Sequence, residues 1–416
     1  MKKKNGWIVA AALIVLIAAG LIGARAYYGY VQGKKLALAE EYRFYRALRQ
    51  EESRWLASQQ LDNGAIPFRG TEQGEASVTP YFSDIAAAAL LEDPAYFQQV
   101  AAYIRWHFEH INSAEEDKNG IAGTIYDYTI QVDQGCVTGE RTDQSYDSID
   151  SYAATFLMLL QRYHERTGDL TLIVEYQEQL TLIIQAMVYS FDQDGLCLAK
   201  PEYPIKYLMD NSEVYGGLGA AIALLATLED AGVSQEAVQP EALIERRERL
   251  SRQIEGLLWN APEQRYETGL DRHNQPLQYT GWTTFYPDAT AQLYPIVFHV
   301  IDPGSNRAEL LYGRLCETYR WEIFEHIDTD ASSFYWGVLA YTAALQRDEG
   351  RVWAYMQTYR TRVAPDHAYP LYCADAGWVI LACKHMEDDY EEQMKKVDPL
   401  NLVPMDEALL SKAAGQ

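Results

Sequence analysis

The sequence predicts an all-α protein: an (α/α)6 toroid of about twelve helices, preceded by one N-terminal transmembrane helix. Three observations carry that expectation. Apolar periodicity of the helical kind recurs from Leu36 to near the C-terminus, with almost no strand-like alternation between segments. The segments also alternate in character. IAAAALL at 85, YAATFLMLL at 152, YGGLGAAIALLATL at 215, ATAQLYPIVFHV at 289, YWGVLAYTAAL at 335 and AGWVILAC at 376 are apolar nearly all round, whereas those between them, such as EALIERRERLSRQIEGLL at 241, carry charge along one side. Helices apolar all round are buried and striped ones cover them, so inner and outer helices take turns. The third observation is in the connections. Links from an inner to an outer helix are short (Asp93, Gly168-Asp169, Asp348), and those from outer to inner are long and rich in Gly, Pro, Asp and Tyr, as at Asn112–Asp143, Phe191–Tyr207, Asn260–Phe285 and Ala364–Leu371. If the helices run antiparallel in turn, every long loop emerges where the inner helices begin, and long loops on a rigid scaffold are where function sits.

Taken in order, Met1–Asn5 carries three lysines and Trp7–Ala24 is an uncharged apolar run of 18 residues closed by Arg25. A run of that length spans a bilayer, and the lysines stay on the cytoplasmic side, so the chain after it is expected outside the cytoplasm. An uncleaved signal anchor is preferred over a cleaved signal peptide, although Ala24-Arg25-Ala26 has the small-x-small form of a cleavage site. The organisation follows: residues 1–35 as cytoplasmic lysines, anchor and linker; 36–386 as the toroid; 387–416 as a polar tail. Within the toroid the helices are expected at 36–60, 80–92, 94–112, 144–167, 169–190, 208–231, 240–259, 286–301, 305–320, 331–347, 349–363 and 372–386. A superhelical helix-pair repeat would need a constant period, which the uneven spacing lacks.

Composition excludes several classes of function. A formal charge of -24 with no basic stripe beyond the N-terminus argues against nucleic acid. Five dispersed cysteines without a C-x-x-C pair, and histidines without metal-ligand spacing, support neither a zinc site nor a redox pair, so no metal or cofactor is expected. DQDG at 192–195 lacks the later Glu of a calcium loop and is expected to be a turn.

The starts of the inner helices carry the chemistry. Asp84 stands in TPYFSDIAAAA, Asp147 and Asp150 in TDQSYDSID, Asp210 and Glu213 in MDNSEVYGG, Asp288 in FYPDATAQLYP and Asp375 in CADAGW. Helix capping alone predicts acids there, because free N–H groups and the helix dipole favour them. It does not predict their aromatic company, which includes Tyr81, Tyr146, Tyr152, Tyr215, Trp282, Tyr286, Trp336 and Trp378. Tyr126 and Asp127 in GTIYDYTIQ are expected near the same rim. An acidic cleft walled by rings suits a carbohydrate, and glycoside hydrolysis needs one carboxylic acid and one carboxylate.

On these stretches and the helical pattern the chain resembles the six-hairpin glycosidase superfamily and, more loosely, glycoside hydrolase family 8. That resemblance implies an acid at the start of the second helix, a sugar-holding carboxylate in a T-D-A-D-type run and a base in a Tyr-Asp-Ala run; the matching positions are Asp84, Asp150 and Asp288. The chain departs from it in having Asp rather than Glu at 84 and in lacking an Arg after Asp288. The expectation is a membrane-anchored extracytoplasmic hydrolase of an envelope or exopolysaccharide. Its catalytic residues would be Asp84, Asp288 and Asp150, with Asp147, Tyr81, Tyr126, Asp127, Tyr146, Asp210, Glu213, Tyr215, Trp282, Tyr286, Trp336 and Trp378 binding substrate, and polysaccharide synthesis or export machinery a candidate partner. The alternatives are an inactive glycan-binding toroid in such machinery or a polysaccharide lyase with Arg69, Arg141 or Lys206 facing a uronate.

Overall fold

A computed structural model describes residues 2–233, 237–278, 281–329, 334–406 and 409–410. It divides into two compact units, Arg49–Ala382 and Met1–Leu48 with Cys383–Gln416. The helices are α1 Lys2–Ser58, α2 Pro80–Leu90, α3 Phe97–Glu109, α4 Asp150–Thr167, α5 Thr171–Glu175, α6 Gln177–Tyr189, α7 Leu208–Asp230, α8 Pro240–Gln253, α9 Tyr294–Val297, α10 Asn306–Thr318, α11 Glu325–Thr329, α12 Gly337–Leu345, α13 Glu349–Arg362 and α14 Cys373–Val397.

In the larger unit the inner helices are α2, α4, α7, the segment 285–297 ending in α9, α12 and the start of α14. Successive members touch: α2 packs on α4, α4 on α7, α7 on α9 and α9 on α12. The ring closes where Gly337 of α12 lies against Asp375 and where Gly377 of α14 lies against Ala86 of α2. The outer layer closes too, for buried Glu52 accepts from Tyr359 of α13 at 2.7 Å and pairs with His367 at 3.1 Å. This is the (α/α)6 toroid that the alternation of apolar and striped segments predicts.

Several boundaries differ from the expected ones, each for a local reason. The helix expected at 144–167 starts at Asp150, because Gln144 N–H bonds the Thr142 hydroxyl and Ser145 N–H bonds the Asp143 carboxylate, holding 142–145 in side-chain turns. The one expected at 286–301 is a π-turn at Phe285–Ala289 followed by the single turn α9, since Pro287 and Pro295 cannot donate to a continuous helix. The helix expected at 331–347 is seen as α12; residues 331–333 lie outside the described residues. GTIYDYTIQ leads into β2 Tyr128–Asp133, the middle strand of an antiparallel sheet with β1 Glu75–Val78 and β3 Cys136–Arg141. All five cysteines are free.

In the smaller unit α1 runs through the apolar segment without a break, and its described large apolar side chains, among them Trp7 (82% exposed), Leu16 and Ile22 (71%), are exposed. It is long and apolar enough to cross a membrane, with a mean hydropathy of 2.0 over its most apolar window. The tail is helical to Val397, with Tyr390 and Met394 buried. Beyond it, Asp398 accepts from buried Lys35 at 3.1 Å and from the Leu402 and Val403 N–H groups.

Helices α4 and α7 pack closely in the toroid. A Cβ on Gly217 would stand 2.6 Å from the Ala154 Cα. Relative to Gly, Ala in a helix interior gains ~0.5–1 kcal/mol, but overpacking costs ~1–3 kcal/mol, so the clash wins. Gly217→Ala is therefore expected to lower the thermal midpoint of the detergent-solubilised chain, measured by circular dichroism, despite the better helix former.

Candidate active site

A cleft of about 630 Å³ opens where the inner helices begin. Its wall has two halves. One side is acidic: Asp127 just before β2, Asp147 and Ser148 before α4, Ser151 and Tyr152 in α4, Asp210 and Glu213 in the first turns of α7. The opposite side is aromatic: Tyr286, Phe334, Trp336, Tyr372 and Trp378, with one carboxylate among them, Asp375, while Tyr294 sits beside Tyr81 and Glu213. Four of the rings form a continuous surface, with Tyr286 and Trp336 centroids 5.0 Å apart, Phe334 and Trp336 5.7 Å apart, and Phe334 edge-on to Tyr372 at 4.3 Å. Tyr81 and Phe82 of α2 join the two halves.

Burial is the largest influence on every perturbed carboxyl here. It pushes Glu213 up to about 8, with Asp210 adding to the rise and the Tyr81 hydroxyl, which donates to Glu213 Oε1 at 2.5 Å, drawing it down. Asp210 rises to about 7, helped by Asp147. Three residues apart on one helix face, these two share their protons as a pair. Asp127 rises to about 6, opposed by the Tyr152 hydroxyl at 3.0 Å. Asp375 rises to about 7 against the backbone N–H groups around it. Its Oδ1 accepts from Gly337 N–H at 2.9 Å, while Oδ2 makes no hydrogen bond. The residue before that donor, Trp336, sits in the left-handed region at φ 56°, a strained state for a bulky side chain that aims its ring into the cleft lining.

The structure brings together Asp147, Tyr81, Asp127, Asp210, Glu213, Tyr286, Trp336 and Trp378 of the residues expected from sequence. The others lie outside the lining. Asp84 is fully buried between helices, accepting from Tyr103 at 2.7 Å and Thr155 at 2.8 Å, with His107 at 3.3 Å. Asp288 is buried on the Thr268 hydroxyl at 3.1 Å. Asp150 is buried behind the acidic wall. Its carboxyl is held well above the usual range by burial and then by Asp210. The expected three catalytic positions are thus corrected: each begins an inner helix, but its side chain turns into the packing. Asp147 and Asp150 do not share a first turn, because the side-chain turns at 142–145 delay the helix. Tyr126 and Tyr146 stack on each other at 5.5 Å in the core, Tyr215 faces Arg247 of outer helix α8 at 4.0 Å, and Trp282 packs against the core. Arg69, Arg141 and Lys206 are not in the lining; Lys206 is buried on Asp192, Asp194 and Asn274, its ammonium inside the DQDG turn. Asp375, noted from sequence among the acids at inner-helix starts, had no role expected of it; Ser151, Tyr203 and Phe334 were not foreseen in the lining.

No protein-family model matches the chain, and no curated protein does. Solved structures match in fold. A glycosidase in complex with glucose superposes with a TM-score of 0.57 at 10% identity, over 83% of this chain and 98% of that one. The likeness is one of fold: the glycosidases that match share the (α/α)6 toroid. An alpha-amylase from Clostridium perfringens gives 0.52 at 9% identity over 81% and 97%, and a rhamnosidase from Klebsiella oxytoca with rhamnose bound gives 0.53 at 11% over 84% and 64%. This likeness carries the toroid and leaves the finer correspondence with family 8 aside.

The crowded acids have a stability signature. A carboxyl whose folded pKa lies above its unfolded one binds the extra proton only when folded. Its contribution is therefore full below about pH 4 and is lost as pH rises through the folded value. For Asp210 that window ends at about 7. Asp210→Asn is expected to raise the thermal midpoint at pH 8 and leave it nearly unchanged at pH 4, as read by calorimetry; a lower midpoint at pH 8 would count against the buried-charge reading.

Proposed function

We propose that the chain is an inverting glycoside hydrolase, anchored in the membrane by α1 with its toroid outside the cytoplasm, that cleaves an envelope polysaccharide or exopolysaccharide. The observation that carries this reading is the opposition of Glu213 and Asp375. Glu213 stands on the third inner helix and Asp375 on the sixth, so they belong to opposite members of the ring. Asp375 is also the one carboxylate of the described lining on the aromatic side. Neighbouring helix axes lie ~8–10 Å apart, so opposite members of a six-ring lie about twice that apart. Side chains reaching inward from both leave a gap of the order an inverting pair needs, ~6.5–9.5 Å. Asp210, on the same helix face as Glu213, cannot serve the other side of a sugar.

The mechanism follows from the two environments. At neutral pH Glu213 is protonated, its Oε1 fixed by Tyr81, and it gives its proton to the glycosidic oxygen as the bond from C1 to that oxygen breaks. Asp375, oriented by Gly337 N–H, takes a proton from a water whose oxygen attacks C1 from the far side. Positive charge growing on the sugar ring is met by the faces of Trp336 and Trp378 and by Asp210 and Asp147. The anchor supports the location, because the lysines before it favour the cytoplasmic side and leave the toroid beyond it.

Screening polysaccharides for release of reducing ends tests the activity. Glu213→Gln and Asp375→Asn are each expected to lower turnover by ~10²–10⁴-fold, whereas Asp84→Asn should change it only as far as it changes the amount of folded protein. Wild-type turnover in either cleft variant would remove that residue from its role. The rate is expected to rise with pH as Asp375 ionises near 7 and to fall as Glu213 loses its proton near 8. Because the Tyr81 hydroxyl favours the ionised form of Glu213, Tyr81→Phe should move the falling limb to higher pH. An unmoved or lower limb would show that Tyr81 does not act through Glu213.

A further inference from the structure

In the smaller unit, α1 and the second half of α14 run side by side in opposite directions. Tyr390 stacks on Tyr45 with centroids 5.9 Å apart, Glu391 lies beside Tyr42, and Asp398, just past the end of α14, pairs with Lys35 at 3.1 Å. As numbers rise along α14 they fall along α1, so the chain is carried back toward the apolar run 7–24. There it turns sharply. One Asp398 oxygen accepts from Leu402 N–H, the other from Val403 N–H and the Lys35 ammonium, and that ammonium also bonds the Val403 carbonyl. Lys35, Asp398 and Val403 are all buried, so the turn is held from inside.

The side chains it presents outward are apolar: Leu400 is 74% exposed, Leu402 41% and Met405 36%. Single exposed apolar side chains need no explanation, but a cluster does. Among the described residues beyond the anchor, the only other large aliphatic side chain so exposed is Ile244. Position says what covers the cluster. Lys35 lies ~16 Å along the helix from Ala24, and the headgroup layer takes up the first ~5–8 Å of that. A helical side chain leans toward the N-terminus of its helix, here toward the bilayer, and tilt of the span lowers the height further. Between the two levels α1 carries Arg25 and exposes Tyr27, Tyr28 and Tyr30, residue types that favour a membrane–water interface. Lys395 and Lys396, at the end of α14, are exposed beside the turn, each paired with a glutamate one helical turn earlier.

We infer that the turn 398–405 rests on the leaflet from which α1 emerges, with Leu400, Leu402 and Met405 among the lipid headgroups and upper acyl chains. The inference rests on the reading of α1 as a membrane anchor and adds a second contact, made by the opposite end of the chain. Continuity with the exposed apolar and aromatic surface of α1 favours lipid over a second copy of the chain.

The test places the full chain in phosphatidylcholine–phosphatidylglycerol vesicles that contain a lipid with a photoactivated diazirine near the head of its acyl chain. After illumination, tryptic peptides are scored for lipid adducts by mass spectrometry; residues 5–25 form one such peptide and 397–412 another. Adducts are expected on both, those on the second at Leu400, Leu402 and Met405. Leu400→Gln/Leu402→Gln, two changes at exposed side chains, is expected to lower labelling of 397–412 at least ~10-fold while the circular-dichroism spectrum is unchanged. Adducts on 5–25 but not on 397–412 would overturn the inference and leave the anchor reading intact. Adducts on 397–412 alone would leave the lipid contact of the turn standing and remove the anchor reading, and adducts on neither would remove both. Wild-type labelling in the double variant would overturn the inference, as would an unlabelled turn in a chain that sediments as a dimer in micelles, which would give the patch to a second copy.

Discussion

The close approach of α12 and α14 is the contact on which the cleft depends. A Cβ on Gly337 would stand 2.5 Å from the Asp375 carbonyl oxygen, so only glycine lets these helices meet as they do. The same approach closes the ring of inner helices and brings Gly337 N–H onto Asp375 Oδ1. It fixes the strained Trp336 at the mouth as well. Fold closure, the candidate base and the main aromatic face are therefore consequences of one backbone contact. A side chain at 337 would disturb all three together.

Across the cleft the constraint is of a different kind. Asp147, Asp210 and Glu213 gather where α4 and α7 begin, and burial keeps the last two protonated well above the ordinary carboxylate range. Function and stability pull in opposite directions at this wall. Its acids destabilise the folded chain as pH rises, yet they set one group up as a proton donor near neutrality.

The architecture was legible in the sequence because it is written in periodicity. Apolar and striped helices alternate, short and long links alternate with them, and no tertiary detail is needed to read either. The identity of the rim was legible too, in acids and rings at the inner-helix starts. Which of those acids face the cleft was not. Tyr81 and Asp84 lie three residues apart on α2, yet the first reaches Glu213 and the second turns to Tyr103 of α3. That choice is set by the rotation of each helix against its neighbours, which neither spacing nor composition reports. Asp288 was misread for a further reason, since two prolines break the helix assumed to carry it. Asp150 was misread because side-chain turns moved the start of α4.

The account stands or falls on the opposition of Glu213 and Asp375 across a bound sugar. A crystal structure of the Glu213→Gln variant with an oligosaccharide substrate measures it directly. The account predicts a sugar stacked on Trp336 or Trp378, the glycosidic oxygen within hydrogen-bonding distance of residue 213, and a water between Asp375 and the far side of C1. The two carboxyl positions should lie ~6.5–9.5 Å apart. A sugar bound with its glycosidic oxygen away from residue 213, or with Asp375 on the same side of the ring, would contradict it.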